Sequence, residues 1–294
     1  MILSCSTNTF GRHTLAEAIK NIADIGYEGV EILADAPHAY PPVFTPTHPS
    51  PLEGEGKGGG LPFLSGLKVV NINANTARGV YGERHPAWAE ESVFGPSLSD
   101  PRAEVRGERV QYTIQCLQLA HEVKSPSLCL TSGRPSTGCP PEEAIKWFFD
   151  SLDRVLKEAE RVKVRIGIEY EPGLLLENAE EVQSVLKRYR SPWLGVNFDV
   201  GHAVVCGESP EEVIKALGRD IVHVHVEDIV GRKHFHRIPG EGEIDFSAMI
   251  AALQDVGYQG ALTVELYPYA HDPVPAATKA FRFLSNLMRE PVHG

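Results

Sequence analysis

The feature that most constrains this chain is an alternation that runs almost from end to end. Short runs rich in Val and Ile recur at residues 2–6, 29–33, 68–74, 127–131, 165–170, 194–199, 221–228 and 262–267. Between most of them lie stretches of helical period, such as Thr14 to Ile22, where Leu15, Ala18, Ile19 and Ile22 share one face. Helix starts are marked as well. Thr14 with Glu17 matches a capping box, and Ser209-Pro210-Glu211-Glu212 sets a cap residue before a first-turn proline. Pro140-Pro141-Glu142-Glu143 opens a helix reaching about Val162, Asn178-Ala179-Glu180-Glu181 opens the next, and Asp245 or Ser247 starts one ending near Val256. Strands apolar on both faces and separated by helices form a parallel sheet covered by helices. Eight such units close naturally into a (β/α)8 TIM barrel, whose usual size of about 250 residues sits close to this length. A doubly wound sheet is the competing α/β arrangement. No G-x-G-x-x-G follows the first strand and no mid-chain linker divides the chain, so the expectation is one barrel domain over 1–294.

The alternation breaks once. Where the second helix belongs, the chain reads Pro41-Pro42-Val43-Phe44-Thr45-Pro46 and continues to Gly58-Gly59-Gly60. Proline removes backbone donors and glycine raises the entropic cost of order, so residues 41–66 read as an exposed, flexible insertion that replaces or disrupts that helix. A second long connection, from Asn75 to about Arg102, follows a strand and so belongs at the barrel mouth. Its Tyr81, Trp88 and Phe94 fit either a lid or aromatic packing of a surface loop.

Charge narrows the partners. With 39 acidic against 28 basic residues the net charge is −11, which repels a phosphate backbone and an anionic membrane alike. No nucleic acid or membrane partner is expected. No apolar run approaches the roughly 20 residues of a membrane span, and Met1-Ile2-Leu3-Ser4-Cys5-Ser6 lacks the regions of a signal peptide. Cys5, Cys116, Cys129, Cys139 and Cys206 are scattered without a C-x-x-C pair, which fits reduced thiols and a cytoplasmic setting.

The chemistry sits at the strand exits, where (β/α)8 barrels build their sites. The fifth strand ends Ile168-Glu169-Tyr170-Glu171, the sixth Asn197-Phe198-Asp199, the seventh runs His223-Val224-His225-Val226-Glu227, and the eighth ends Val264-Glu265. Side chains alternate along a strand, so with Val222, Val224 and Val226 against the helices, His223, His225 and Glu227 face inward. Glu169 and Glu171 share the inward side in the same way. Carboxylates crowded inside a barrel repel and take up protons, and a divalent cation removes the conflict. Three oxygens and one nitrogen suit Mn²⁺, Mg²⁺ or Co²⁺ with open positions better than a closed thiolate zinc site.

These segments resemble the xylose isomerase-like TIM barrels, the sugar phosphate isomerase/epimerase group that includes D-tagatose 3-epimerase, hydroxypyruvate isomerase and inosose dehydratase. The resemblance is carried by Ile168-Glu169, Phe198-Asp199-Val200-Gly201-His202, His223-Val224-His225, Pro239-Gly240-Glu241-Gly242 with Asp245-Phe246, and Gly260-Ala261-Leu262-Thr263-Val264-Glu265, with a weaker match over residues 1–35. It implies a divalent metal, Mn²⁺, Mg²⁺, Co²⁺ or Zn²⁺, on Glu169, Asp199, His225 and Glu265. Glu171 remains the alternative ligand on the fifth strand. It implies a small carbohydrate or related polyol as substrate, and it allows a homodimer.

The resemblance further implies that Glu169 and Glu265 exchange protons with the substrate through an enediolate, giving an isomerase or epimerase. An inosose-type dehydratase on the same ligands is the alternative reaction. An apurinic endonuclease lacks support because the early strands offer no extra histidines, and a non-catalytic sugar-binding barrel would bind ligand without metal. His202 resembles a substrate-contacting histidine, with support of Asp199 as the other reading. Glu227 and Asp228 serve His225, the substrate, or an ion pair with Arg232. Arg232, in the basic stretch 231–237, is a candidate for a substrate phosphate or carboxylate, and Asn71, Asn73 and Arg134 for sugar hydroxyls. His223, one layer deeper than His225, reads as a core histidine.

Overall fold

The computed structural model describes residues 1–41, 64, 66–80 and 94–289. Residues 42–63 and 65 of the expected insertion lie outside the described residues, as do Tyr81 and Trp88 of the expected lid.

Eight strands close the barrel: β1 (Ile2–Ser6), β2 (Gly29–Leu33), β3 (Lys68–Asn73), β4 (Ser127–Thr131), β5 (Arg165–Glu169), β6 (Leu194–Asp199), β7 (Ile221–Val226) and β10 (Ala261–Val264). Every neighbouring pair is parallel, and β10 pairs with both β7 and β1 to complete the circle. Helices α1 (Leu15–Ile25), α2 (Ala103–Glu122), α3 (Pro141–Val162), α4 (Ala179–Tyr189), α5 (Val200–Cys206), α6 (Pro210–Leu217), α7 (Phe246–Asp255) and α8 (Pro273–Arg289) accompany them. The caps are those the sequence predicts. Thr14 and Glu17 form the full capping box of α1, and Asn178, Ser209 and Asp245 each accept a hydrogen bond from the first turn of their helix.

Alternation along the staves divides the molecule into two interiors. Val30, Ile32, Leu128, Leu130, Ile166, Ile168, Val196, Phe198, Val224, Val226, Leu262 and Val264 are buried in the main hydrophobic cluster. The helices meet that layer with one face each; in α3 the buried side chains are Ala144, Phe148, Leu152, Val155, Ala159 and Val162, a spacing of three and four. Each large apolar side chain buried there contributes about 1.5–3 kcal/mol. The intervening residues, among them Glu31, Asn71, Asn73, Glu169, Asn197, Asp199, His223 and His225, are also buried, and all of these but Asp199 and His223 hydrogen-bond within the group. The barrel axis is therefore polar.

Two boundaries depart from expectation by more than one residue. The seventh run, expected over 221–228, ends at Val226, and the chain then makes a hairpin of β8 (Asp228–Val230) and β9 (Lys233–Arg237). The cause is Asp228. Its carboxylate accepts hydrogen bonds from the backbone N–H groups of Ile229, Gly240, Gly242 and Ile244, so it pins both ends of the excursion rather than pairing with Arg232. The eighth run stops at Val264, and residues 267–269 form a short 3-10 turn. Among the described residues no helix is long and apolar enough to cross a membrane.

Candidate active site

The site begins with His225 at the end of β7, which is fully buried. Its Nε2 lies 2.7 Å from Glu31 Oε2 on β2, and its Nδ1 lies 3.0 Å from Glu169 Oε2, 3.9 Å from Asp199 Oδ2 and 3.8 Å from Glu265 Oε2. One imidazole thus spans the barrel. One nitrogen rests on the carboxylate of an early strand, and the other faces three carboxylates from β5, β6 and the exit of β10.

Asp199 stands where β6 becomes α5 and serves as the N-cap of that helix, its Oδ1 accepting from His202 N at 2.8 Å. The cap directs Oδ2 inward, where it accepts no hydrogen bond from any described residue. Glu227 lies beside it, its carboxyl oxygens accepting no hydrogen bond from the described residues and Oε2 lying 3.8 Å from His236 Nδ1. A Cβ at position 201 would collide with that carboxylate, so glycine at the start of α5 lets the two elements approach.

Six carboxyl groups gather here: Glu31, Glu169, Glu171, Asp199, Glu227 and Glu265 are all buried, and the ion-pair partners described for them are histidines. Burial pushes Glu171 and Glu265 up to about 8, with neighbouring Glu169 adding to both. Burial and the adjoining Asp199 push Glu227 well above the usual carboxylate range. Burial opposes ionisation of Asp199 and Glu31 too, but facing histidines, His202 for Asp199 and His225 for Glu31, hold both well below that range. His202, despite burial, is carried up to about 9 by Asp199, Glu171 and Glu169. Burial holds His223 and His236 down to about 3.

The first half of the barrel supplies the donors. Asn8 Nδ2 donates to Glu265 Oε1 at 2.5 Å, Asn73 Nδ2 to Glu265 Oε1 and Glu31 Oε1 at 3.0 and 3.1 Å, and Asn75 Nδ2 to Glu169 Oε1 at 3.0 Å. Asn71 donates to the other oxygen of Glu31 at 2.8 Å. Asn197 on β6 donates to Glu169 Oε2. The turn carrying Asn75 is braced from behind by the buried Arg109 of α2, whose Nη2 donates to the carbonyls of Ala74 and Asn75 at 2.6 and 3.2 Å.

The predicted residues are thus partly assembled. Glu169, Asp199, His225 and Glu265 converge, and of the two glutamates of the fifth strand Glu169 faces His225, while Glu171 lies 3.9 Å from His234 Nδ1. His202 Nδ1 donates to the Tyr170 carbonyl at 3.0 Å, and its backbone N–H supports Asp199. His223 faces Glu31 at 3.5 Å, below His225. Asn73 and Asn71 bond to carboxylates of the site. Arg232 reaches the Val205 carbonyl at the end of α5 with Nη2 at 3.0 Å and Nε at 3.2 Å, and Arg134 is exposed near Gly173. Glu31, Asn8, Asn75, Asn197, His234 and His236 were not singled out by the sequence. For Glu31 the signal was present, a lone acid inside the apolar strand Gly-Val-Glu-Ile-Leu.

A divalent ion fits this arrangement on the chemistry of the donors. Asp199, His225 and Glu265 each offer one ligand atom within 4.8 Å of the others, and Glu169 borders the same nitrogen. The unpartnered Asp199 Oδ2, His225 with its far nitrogen on a carboxylate, and the surplus of buried negative charge all favour a cation there.

Comparison with known proteins agrees with the architecture. Two uncharacterized proteins of Methanocaldococcus jannaschii are 34% identical over 122 residues and 32% identical over 177 residues; the chain spans 42% and 63% of their lengths. Fructoselysine 3-epimerase of Escherichia coli O157:H7 is 23% identical over 287 residues, covering 95% of each chain. Among solved structures, a D-tagatose 3-epimerase-like protein superposes with a TM-score of 0.79 at 22% identity over 98% of this chain and 97% of its own. The IOLI protein, solved with a bound zinc atom, gives 0.72 at 17% identity over 98% of both chains. The sequence model of this fold family matches residues 19–287. With the closed barrel and this extent of match, the chain belongs to the xylose isomerase-like TIM barrel family.

Proposed function

We propose that this protein is a divalent-metal-dependent isomerase or epimerase of a small sugar, sugar phosphate or related polyol, with the ion held by Glu169, Asp199, His225 and Glu265. The observation that carries the reading is the pair of glutamates about one nitrogen: Glu169 and Glu265 leave strands separated by β6 and β7, yet reach His225 Nδ1 at 3.0 and 3.8 Å. When bound, the ion supplies Lewis acidity toward a carbonyl oxygen and its neighbouring hydroxyl. The two glutamates would then flank the carbon that bears that hydroxyl, whose C–H lies next to the carbonyl. One takes its proton, leaving the substrate as an enediolate, and the other returns a proton to the opposite face or to the adjacent carbon. Asn8 and Asn73 fix Glu265 Oε1, which leaves Oε2 turned toward His225 Nδ1. Asn75 and Asn197 orient Glu169 in the same way. Glu171 and Glu227 would meet substrate hydroxyls in this reading.

The competing outcome is loss of water from the enediolate. It has support in an inosose dehydratase of Clostridium perfringens, 26% identical over 162 residues and 49% of this chain, and in Glu171, a second carboxyl held protonated up to about pH 8. The test is a panel of ketoses, their phosphates and inososes given to Mn²⁺-loaded protein in D₂O. An isomer of unchanged composition carrying one solvent deuterium is expected, and Glu265→Gln should lower its formation by about 10²–10⁴. A product lighter by one water would assign the dehydratase instead, and full turnover in the Gln variant would remove the proton-transfer role.

A further inference from the structure

The turn at the exit of β3, residues 73–76, supplies a donor to each glutamate of the centre. Asn75 Nδ2 donates to Glu169 Oε1 at 3.0 Å, and Asn73 Nδ2 donates to Glu265 Oε1 at 3.0 Å. The two residues are also joined to each other, because Asn73 Oδ1 accepts from Asn75 N at 3.2 Å. A backbone N–H only donates, so that bond fixes which end of the Asn73 amide is oxygen and turns its NH2 toward the carboxylates. One displacement of this turn would therefore disturb both glutamates together.

What holds the turn is α2. Arg109 is 1% exposed; its Nη2 donates to the carbonyls of Ala74 and Asn75 at 2.6 and 3.2 Å, and its Nη1 to that of Pro96 at 3.4 Å. Further along the same face of the helix, Tyr112 sets its hydroxyl 2.9 Å from the carbonyls of both Ala34 and Thr76. The guanidinium carbon lies 5.4 Å from the centre of the Tyr112 ring, so the two side chains pack as one unit. The consecutive carbonyls of Ala74, Asn75 and Thr76 are thereby drawn outward to the helix. Their partial negative charge would otherwise border the buried carboxyl groups of the site; with the oxygens turned away, the amides of Asn73 and Asn75 face inward. Burying a guanidinium is costly, and apolar packing would hold α2 to the barrel without that cost. A rigid fork that grips successive carbonyls is what arginine adds.

We propose that Arg109, with Tyr112 beside it, is a positioning residue for the isomerase reaction: by holding the carbonyls of 74–76 it sets Asn73 and Asn75, and through them the oxygens that Glu169 and Glu265 present. The last step rests on the reading of those glutamates as metal-holding, proton-transferring groups. The step from α2 to the two amides is independent of it.

The test begins with the metal-free full chain labelled with ¹⁵N at asparagine, in which hydrogen exchange of the side-chain amides is followed by NMR. Arg109→Met keeps the buried stem and removes the donors; Tyr112→Phe removes one hydroxyl and serves where the first variant fails to fold. In either, the amides of Asn73 and Asn75 should exchange faster by about tenfold or more. Asn71 is the control on the same strand, held by Glu31 at 2.8 Å and by Ser127 Oγ at 2.7 Å, and its exchange should not change. Unchanged exchange at Asn73 and Asn75, or equal acceleration at Asn71, would overturn the positioning role. Calorimetric titration with Mn²⁺ tests the last step: Arg109→Met should weaken binding about tenfold, and should cost nothing further once Asn73 and Asn75 are both replaced by alanine. An equal loss in that background would overturn the route through the amides. Wild-type protein that binds no Mn²⁺ would remove the metal reading instead, and the exchange result alone would then decide the role of Arg109.

Discussion

The two halves of the barrel divide the labour of one site. The exits of β5, β6, β7 and β10 deliver Glu169, Glu171, Asp199, His225, Glu227 and Glu265, all of them ionisable. Those of β1 and β3 deliver Asn8, Asn71, Asn73 and Asn75, all neutral amides, and each donates to a carboxylate across the axis or on the neighbouring stave. Buried acids are tolerable when part of their lone-pair capacity is satisfied and the remainder is aimed at one point. The amide half does the first, and the acidic half is left to do the second. Glu31 on β2 and Asn197 on β6 are the exceptions, and their roles explain them: Glu31, placed behind His225, selects which imidazole nitrogen faces the centre, and Asn197 donates to Glu169 on the neighbouring stave.

The largest effect in this comparison belongs to the acidic half. Asp199→Asn should weaken manganese binding by more than the roughly 100-fold that a supporting partner is worth, measured by calorimetry on chelator-stripped protein. A smaller loss would place the ion elsewhere. Glu31→Gln comes next, because the amide must offer its oxygen to keep His225 Nε2–H bonded and brings no charge; a 10–100-fold loss of affinity is expected, with the fold retained. Asn75→Ala should cost about tenfold or less, since Asn197 still holds the other oxygen of Glu169. If Asn75→Ala matched Asp199→Asn, the division between holding and supporting halves would fail.

The smallest effect is one of pH. Glu171 and Glu265, raised to about 8 by burial, keep protons in the metal-free fold that the unfolded chain has already lost, so stability falls as pH climbs from about 6.5 toward 8. His202, raised to about 9 by the surrounding carboxylates against the effect of burial, loses its contribution in the same direction as pH rises further. His223 and His236, held down to about 3, are neutral in both states above about 6.5 and drop out of this window. A bound cation displaces the carboxyl protons, so Mn²⁺ should raise the melting temperature more at about pH 8 than at about pH 6.5. An equal shift at both would show that these carboxyls do not border the ion.

Much of this was legible because period carries both kinds of information. The alternation of Ile166 and Ile168 with Gly167 and Glu169, or of Val224 and Val226 with His223 and His225, names the strand and its inward face together. The same reasoning extended β7 through Asp228, one residue past Glu227 where the alternation ends, while the break itself depends on backbone donors of Gly240, Gly242 and Ile244 reaching back to that carboxylate. Such long-range bonds leave no periodic trace. Asn8 was hidden for a related reason: it sits on the 3-10 turn of Thr7–Phe10, beyond the strand, where alternation no longer assigns a face. Arg232 illustrates the limit of composition. Its basic neighbourhood suggested an anion, yet its guanidinium is committed to the last turn of α5.

The most direct test of the metal centre is anomalous diffraction from crystals of the chelator-stripped protein soaked in Mn²⁺. We expect one manganese peak bounded by a carboxylate oxygen of each of Glu169, Asp199 and Glu265 and by Nδ1 of His225. Ordered side chains in that arrangement with no peak between them, under soaking that saturates binding in solution, would contradict it.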